Sequence, residues 1–176
     1  EALGKKGYRI GDSAIQKGLA QSRWEARLEI LRSNPVFLLD GAHNPAGIVS
    51  LCRVLAKDLS GRRLILIFSA LADKDYRRML RKIVPLAHKT FLPPLPTKRA
   101  VAPQVLATFL QSMGYPAVVP ESVTESVRQA LQCAGENDLI CACGSLYLAG
   151  EIKQTFHQMC SCGKERGALK SVKHKT

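Results

Sequence analysis

The run Leu64-Ile65-Leu66-Ile67-Phe68 narrows the possible folds more than any other stretch of the chain. Five large apolar residues without polar alternation suit a strand covered on both faces, as in a sheet sandwiched between helices. The surrounding sequence supplies such helices. Strand-like runs at 26–32 (ARLEILR), 36–40 (VFLLD), 63–70 (RLILIFSA), 89–93 (KTFLP), 116–119 (PAVV) and 138–144 (DLICACG) alternate with helix-like segments at 12–20, 45–59, 75–87, 103–113, 122–135 and 145–159. That order predicts an α/β fold of three layers, α/β/α, around a mainly parallel sheet.

Local signals set the boundaries. Ile48, Leu51, Val54 and Leu55 recur at helical spacing. Asp12 or Ser13 is the expected cap of the first helix, and Ser122 with Glu125 three residues on forms a capping box. Pro85 ends one helix, Pro103 opens another and Gly114 stops it. Ser33-Asn34-Pro35 reads as the turn between the first two strands.

Three strand exits carry polar residues, and ligands of open α/β sheets bind outside the carboxyl ends of the strands. The first is LLDGAHNP, residues 38–45. Asp40 there can accept hydrogen bonds from a ribose, and His43 can donate to an anionic group. Asn44-Pro45 is equally an ordinary start for a helix, and Asp40 and His43 can equally tie a turn. The second exit is Asp73-Lys74-Asp75, where the lysine suits a carboxylate or phosphate and either acid suits a helix cap. The third is Gly144-Ser145, either an anion site at a helix start or a plain serine cap. No G-x-x-x-x-G-K-[ST] or G-x-G-x-x-G is present, so no phosphate-cradling loop lies in these residues.

The formal net charge is +12, of which residues 163–176 hold five basic residues and one acid. That tail lacks apolar periodicity and is expected to be disordered. Nucleic-acid binding is one reading of the charge, but only 6% of residues are aromatic and no recognition motif appears. Any such binding is expected to be non-specific, dependent on the tail and weakened by salt. Six cysteines in a chain well supplied with apolar residues are expected to be free thiols, pointing to the cytoplasm. Cys160, Cys162 and His157 leave a four-ligand metal site incomplete, so no metal centre is assigned to the chain. No apolar run approaches the roughly 18 residues of a membrane span. At 176 residues the chain fits one domain with a fragment of another, and its start at Glu1 rather than Met is expected of a piece of a longer protein.

LLDGAHNPAG, ALADKDYRRML, TKRA, CACGSLYLAGE and, upstream, IQKGLAQSRWEARLE together resemble the C-terminal domain of folylpolyglutamate synthases and bifunctional dihydrofolate/folylpolyglutamate synthases, within the Mur ligase superfamily. The likeness covers about residues 8–155 and departs at Glu25-Ala26, where that family usually has Pro-Gly. It implies a Rossmann-like domain at 21–160, the end of a central ATP-binding domain at 1–20 and a basic tail at 161–176.

The implied activity is an ATP-dependent amide ligation. A carboxylate of dihydropteroate or folate is phosphorylated, and the amine of L-glutamate attacks the acyl phosphate. The P-loop and Mg²⁺ ligands then belong to an N-terminal ATPase domain outside these residues, and the chain alone is expected to be inactive. The resemblance places Arg27 on the ATP phosphates, Asp40 on the ribose, and His43 and Asn44 in the same pocket. Lys74 and Ser145 are placed on glutamate, with His43 and Lys74 as the catalytic candidates. Alanine at Arg27 or Asp40 is expected to leave folding intact, because neither side chain is assigned to the core. The competing readings are a Mur-type ligase of peptidoglycan precursors and a non-catalytic basic module binding nucleic acid.

Overall fold

The computed structural model describes residues 2, 4–22, 24–58 and 61–161. Its five-stranded sheet comprises β1 (Glu29–Ser33), β2 (Val36–Leu39), β3 (Leu64–Phe68), β4 (Ala87–Phe91) and β5 (Leu139–Cys143), in the order β1-β2-β5-β3-β4. The pairs β2–β5, β5–β3 and β3–β4 are parallel, and only β1 runs antiparallel, against β2. The two central strands, β3 and β5, are buried along their whole length, as the unbroken apolar runs require. The outer strands carry the polar residues: Glu29 and Arg32 on β1, His88 and Lys89 on β4. Charge on an edge discourages pairing with another sheet.

Side-chain alternation divides the core in two. Leu64, Leu66 and Phe68 of β3, with Leu139, Cys141 and Cys143 of β5, pack beneath α2 (Pro45–Asp58), α3 (Tyr76–Ile83) and α4 (Pro103–Ser112). Ile65, Ile67, Ile140 and Ala142 face the other way, against α5 (Val123–Cys133) and α6 (Leu146–Ser161). Those are the three layers. Cys141 and Cys143 act as small apolar residues, and the described cysteines are free thiols.

Several boundaries differ from expectation. The first strand begins at Glu29 rather than residue 26, because Ala26 and Leu28 have φ of 51° and 48° and cannot join a ladder. Residues 116–119 form no strand; a single bridge joins Val118 to Phe91. Pro116, the first residue of that segment, and Pro120, directly after it, lack the N–H that a longer ladder needs. α3 stops at Ile83 and one 3₁₀ turn, Val84–Leu86, carries the chain past Pro85. Of the capping box only half forms. Ser122 accepts the Glu125 N–H at 3.0 Å, while the Glu125 carboxylate turns to Arg128 and Gln129.

The first helix, α1 (Asp12–Gln21), is preceded by Gly11, with no side-chain cap from Asp12 or Ser13. It buries no residue, and Leu19 remains 72% exposed. The basic tail lies outside the described residues after Ser161. Among the described residues, no helix is long and apolar enough to cross a membrane.

At the amino ends of β3 and β5, Arg63 donates to both oxygens of Asp138, at 3.0 and 2.6 Å, and the Gly135 N–H adds a third bond at 2.7 Å. The Arg63 bond, foremost, holds the Asp138 carboxyl below its ordinary value. A depressed pKa in the folded state stabilises above the ordinary carboxylate range and is lost as pH falls through the folded value. The stability advantage over Asp138→Asn should therefore be constant above about pH 5 and shrink below about pH 4. Urea denaturation at several pH values checks this; an advantage unchanged down to about pH 3 would refute it.

Candidate functional site

The carboxyl ends of β2, β5 and β3 lie side by side, and the three polar turns leave from them. Asp40 follows β2 and is 7% exposed. Its N–H donates to the Ala142 carbonyl, extending the β2–β5 ladder by one rung. Its Oδ1 accepts the Ala42 N–H at 2.8 Å and its Oδ2 the Leu28 N–H at 3.0 Å. The carboxylate thus ties its own turn to the Arg27 turn, and Asp40 does belong to the interior. That burial removes the ground for expecting Asp40→Ala to fold normally.

His43 Nδ1 lies 2.8 Å from the Gly41 carbonyl. With the proton on Nδ1 to make that bond, the neutral ring leaves Nε2 as an acceptor. Asn44 Oδ1 accepts the Gly47 N–H at 2.8 Å and caps α2.

Arg27 sits at the tip of a turn between the two left-handed residues, Ala26 and Leu28. Glycine at position 26 would suit that backbone at lower cost than alanine does. The turn docks on the β2 exit through Gly41, whose N–H donates to the Ala26 carbonyl at 2.6 Å. A methyl group on Gly41 would stand 2.7 Å from Leu146 Cδ2 and 3.2 Å from Arg27 Nη1. Glycine lets the guanidinium, the β2 turn and the start of α6 converge.

Gly144 joins the other two exits. Its N–H donates to the Ala42 carbonyl at 2.8 Å, and a methyl group there would overlap the Ser69 carbonyl oxygen and the Phe68 ring. Ser145, 2% exposed, accepts the Tyr147 N–H at 3.1 Å and caps α6. At the β3 exit Lys74 pairs with Asp73 at 2.8 Å, and Asp75 caps α3 through the Arg78 N–H at 3.0 Å. Arg99, from the TKRA segment, reaches Asp73 at 3.3 Å, and the two loops are joined by Ala72 N–H to the Arg99 carbonyl. The Lys74 bond, foremost, holds the Asp73 carboxyl below its ordinary value.

Arg27, Asp40, His43, Asn44 and Ser145 therefore share one contiguous end of the sheet. Lys74 stands at the neighbouring exit, and among the described residues no hydrogen bond or ion pair joins it to them. Arg99 and Glu29 escaped the sequence reading as site residues, although TKRA and the ARLE stretch were both singled out. Beside Asn44 opens a basic groove of about 700 Å³ between α2 and α3, lined by Ser50, Arg53, Arg78 and Lys82. No lining residue is acidic.

Residues 26–146 match the family described as Mur ligase, glutamate ligase domain. The chain belongs to that family. The ligase domain is 38% identical, over 146 residues, to the folylpolyglutamate synthase of Lacticaseibacillus casei, covering 80% of this chain and 32% of that protein. Among solved structures it resembles the bifunctional folylpolyglutamate synthase/dihydrofolate synthase of Yersinia pestis complexed with AMPPNP and Mn. The TM-score there is 0.80, with 26% identity over 88% of this chain and 37% of that one. A bifunctional synthase with Mn, AMPPNP and L-glutamate bound is similar to the same degree, at TM-score 0.80 and 26% identity, with the same coverage of both chains. The domain spans about a third of the length of the Lacticaseibacillus casei and Bacillus subtilis synthases.

Proposed function

We propose that this domain is the C-terminal part of an ATP-dependent ligase that joins L-glutamate to dihydropteroate or folate. In that reaction a carboxylate oxygen attacks the γ-phosphorus and ADP leaves. The glutamate amine then attacks the acyl carbon, phosphate leaves and the amine gives up a proton. Residues 1–20 are read as the end of the preceding ATP-binding domain, to which the exposed face of α1 would be continuous. The observation that carries the reading is the convergence of the Arg27 turn, the β2 turn and the start of α6 at Gly41.

Each group has a physical task there. Arg27 offers a planar fork of N–H donors that matches phosphate oxygens, a geometry lysine cannot reproduce. His43 Nε2, free of the Gly41 bond, can serve a polar ligand group as an acceptor. Asn44 and the first turn of α2 supply a helix start near the nucleotide. Asp40 spends one lone pair of each oxygen on backbone N–H groups and keeps the others for ribose hydroxyls. Lys74 and Arg99 share Asp73, so a glutamate carboxylate would recruit them by competing with that acid.

A metal does not fit these residues. No group of three His, Cys, Asp or Glu side chains among the described residues is placed to hold one. The Mg²⁺ of the proposed reaction is assigned to the N-terminal ATPase domain, and nothing above runs through it.

Phosphoryl transfer rests on positioning and charge stabilisation, so a domain that brings Arg27 to the phosphates only on closing can gate the reaction. On its own the domain should release no phosphate from ATP in the presence of glutamate and a folate. The full-length ligase should do so. Phosphate release from the purified 176-residue chain that depends on both ATP and glutamate would overturn this division of labour.

A further inference from the structure

We infer that Glu29, locked by Lys153, positions Arg27. The inference rests on the proposed phosphate-facing role of Arg27 and extends it to two residues with no place in that reading.

The Arg27 turn is costly in isolation. Two non-glycine residues in the left-handed region are each unfavourable and persist only where surrounding bonds over-determine them. Here the determinants are two carboxylates. Glu29 Oε2 accepts the Ala26 N–H at 2.8 Å, and Asp40 Oδ2 accepts the Leu28 N–H at 3.0 Å. Glu29 thereby fixes the peptide group that enters Ala26, and Asp40 the one that leaves Arg27. The Gly41 N–H to the Ala26 carbonyl closes the third side.

Glu29 is itself held. Lys153 Nζ lies 3.1 Å from Glu29 Oε1 and 3.1 Å from Glu25 Oε2. Glu29 and Lys153 are both half-buried, whereas Glu25 is 84% exposed, so the Glu29 contact is the one least screened by solvent. Burial alone would lower the Lys153 pKa; the bonds to Glu25 and Glu29 raise it instead. Lys153 lies on α6, the helix that Ser145 caps at the β5 exit. One rigid helix therefore links the β5 turn to the anchor of the Arg27 turn. Among the described residues the bonds of the Glu29 carboxylate go to the Ala26 N–H and to Lys153, so its effect on the reaction is expected to pass through the geometry of Arg27.

Two measurements test this. In the 176-residue chain, ¹⁵N relaxation should show the Arg27 backbone amide becoming mobile in Glu29→Ala and in Lys153→Met. Glu29→Gln keeps an acceptor for the Ala26 N–H and should restore most of the order. In the full-length ligase, Glu29→Ala should lower kcat roughly tenfold to a hundredfold, as misplacement of a reacting-centre group does. The folate KM should not move, and the effect should vanish in an Arg27→Ala background. An Arg27 amide as ordered in both variants as in the parent overturns the inference, as does a Glu29→Ala loss that multiplies in full with Arg27→Ala. An Arg27→Ala enzyme with undiminished kcat instead overturns the phosphate role of Arg27, while the relaxation result still decides whether Glu29 holds the turn.

Discussion

Gly144→Ala should cost the domain on the order of 3–5 kcal/mol, a large part of the roughly 5–15 kcal/mol available to a fold of this size. Two penalties combine. The φ of 106° at Gly144 is a conformation that L side chains rarely adopt. The added methyl would also overlap the Ser69 carbonyl oxygen, which belongs to the backbone at the β3 exit, and the Phe68 ring at the end of the same strand. No rotamer change moves a carbonyl, so either β3 or the β5 turn must shift. Gly150→Ala, six residues on within α6, provides the contrast. A methyl group at Gly150 meets nothing within 4 Å, and alanine in a helix gains about 0.5–1 kcal/mol over glycine. The two substitutions should therefore move the melting temperature in opposite directions. Equal melting temperatures for both would show that the exits of β5 and β3 are not packed as described.

Much of this arrangement was legible in the sequence where local chemistry decides the outcome. Leu64–Phe68 and Leu139–Cys143 are apolar enough to demand the sheet centre, and they occupy it. Asn44-Pro45 reads as a helix start and is one. The DGAHNP and GSLYLAGE segments carried the resemblance that the family match bears out.

What escaped depends on partners far away in the chain. ARLEILR alternates like a strand, and nothing in Glu25-Ala26-Arg27-Leu28 announces a left-handed turn, since glycine is absent there. The turn exists because Asp40 captures an amide 12 residues upstream, and because Glu29 is anchored by Lys153, 124 residues downstream. Arg99 meets Asp73 across 26 residues for the same kind of reason. Residues 116–119 show the opposite failure: Ala117-Val118-Val119 has the right side chains, but its flanking prolines lack the donors. Asp40 stands between these cases. Its position at a strand exit was readable, whereas its engagement with two backbone amides was not.

Arg27→Ala should lower kcat of the full-length ligase by about a hundredfold while leaving the melting temperature unchanged. The residue is exposed, so its loss should not reach the core. Its proposed partners are phosphate oxygens whose charge is redistributed as the γ-phosphoryl group moves. An interaction that strengthens in the transition state appears in kcat more than in KM. Arg27→Lys should recover only part of the rate, because an ammonium keeps the charge and loses the planar fork. Asp40→Ala should behave differently on every axis. It leaves the Ala42 and Leu28 amides without their acceptor, at about 1–3 kcal/mol each, so the melting temperature should fall. If the same carboxylate also holds the ribose, the ATP KM should rise by roughly tenfold or more, for a charged hydrogen bond made in ground and transition states alike. Melting temperature, ATP KM and kcat measured on these variants separate the two residues: a rate loss without destabilisation at Arg27, and destabilisation with weaker nucleotide binding at Asp40. An Arg27→Ala enzyme with kcat within about twofold of the parent would end the assignment of this turn to the phosphates.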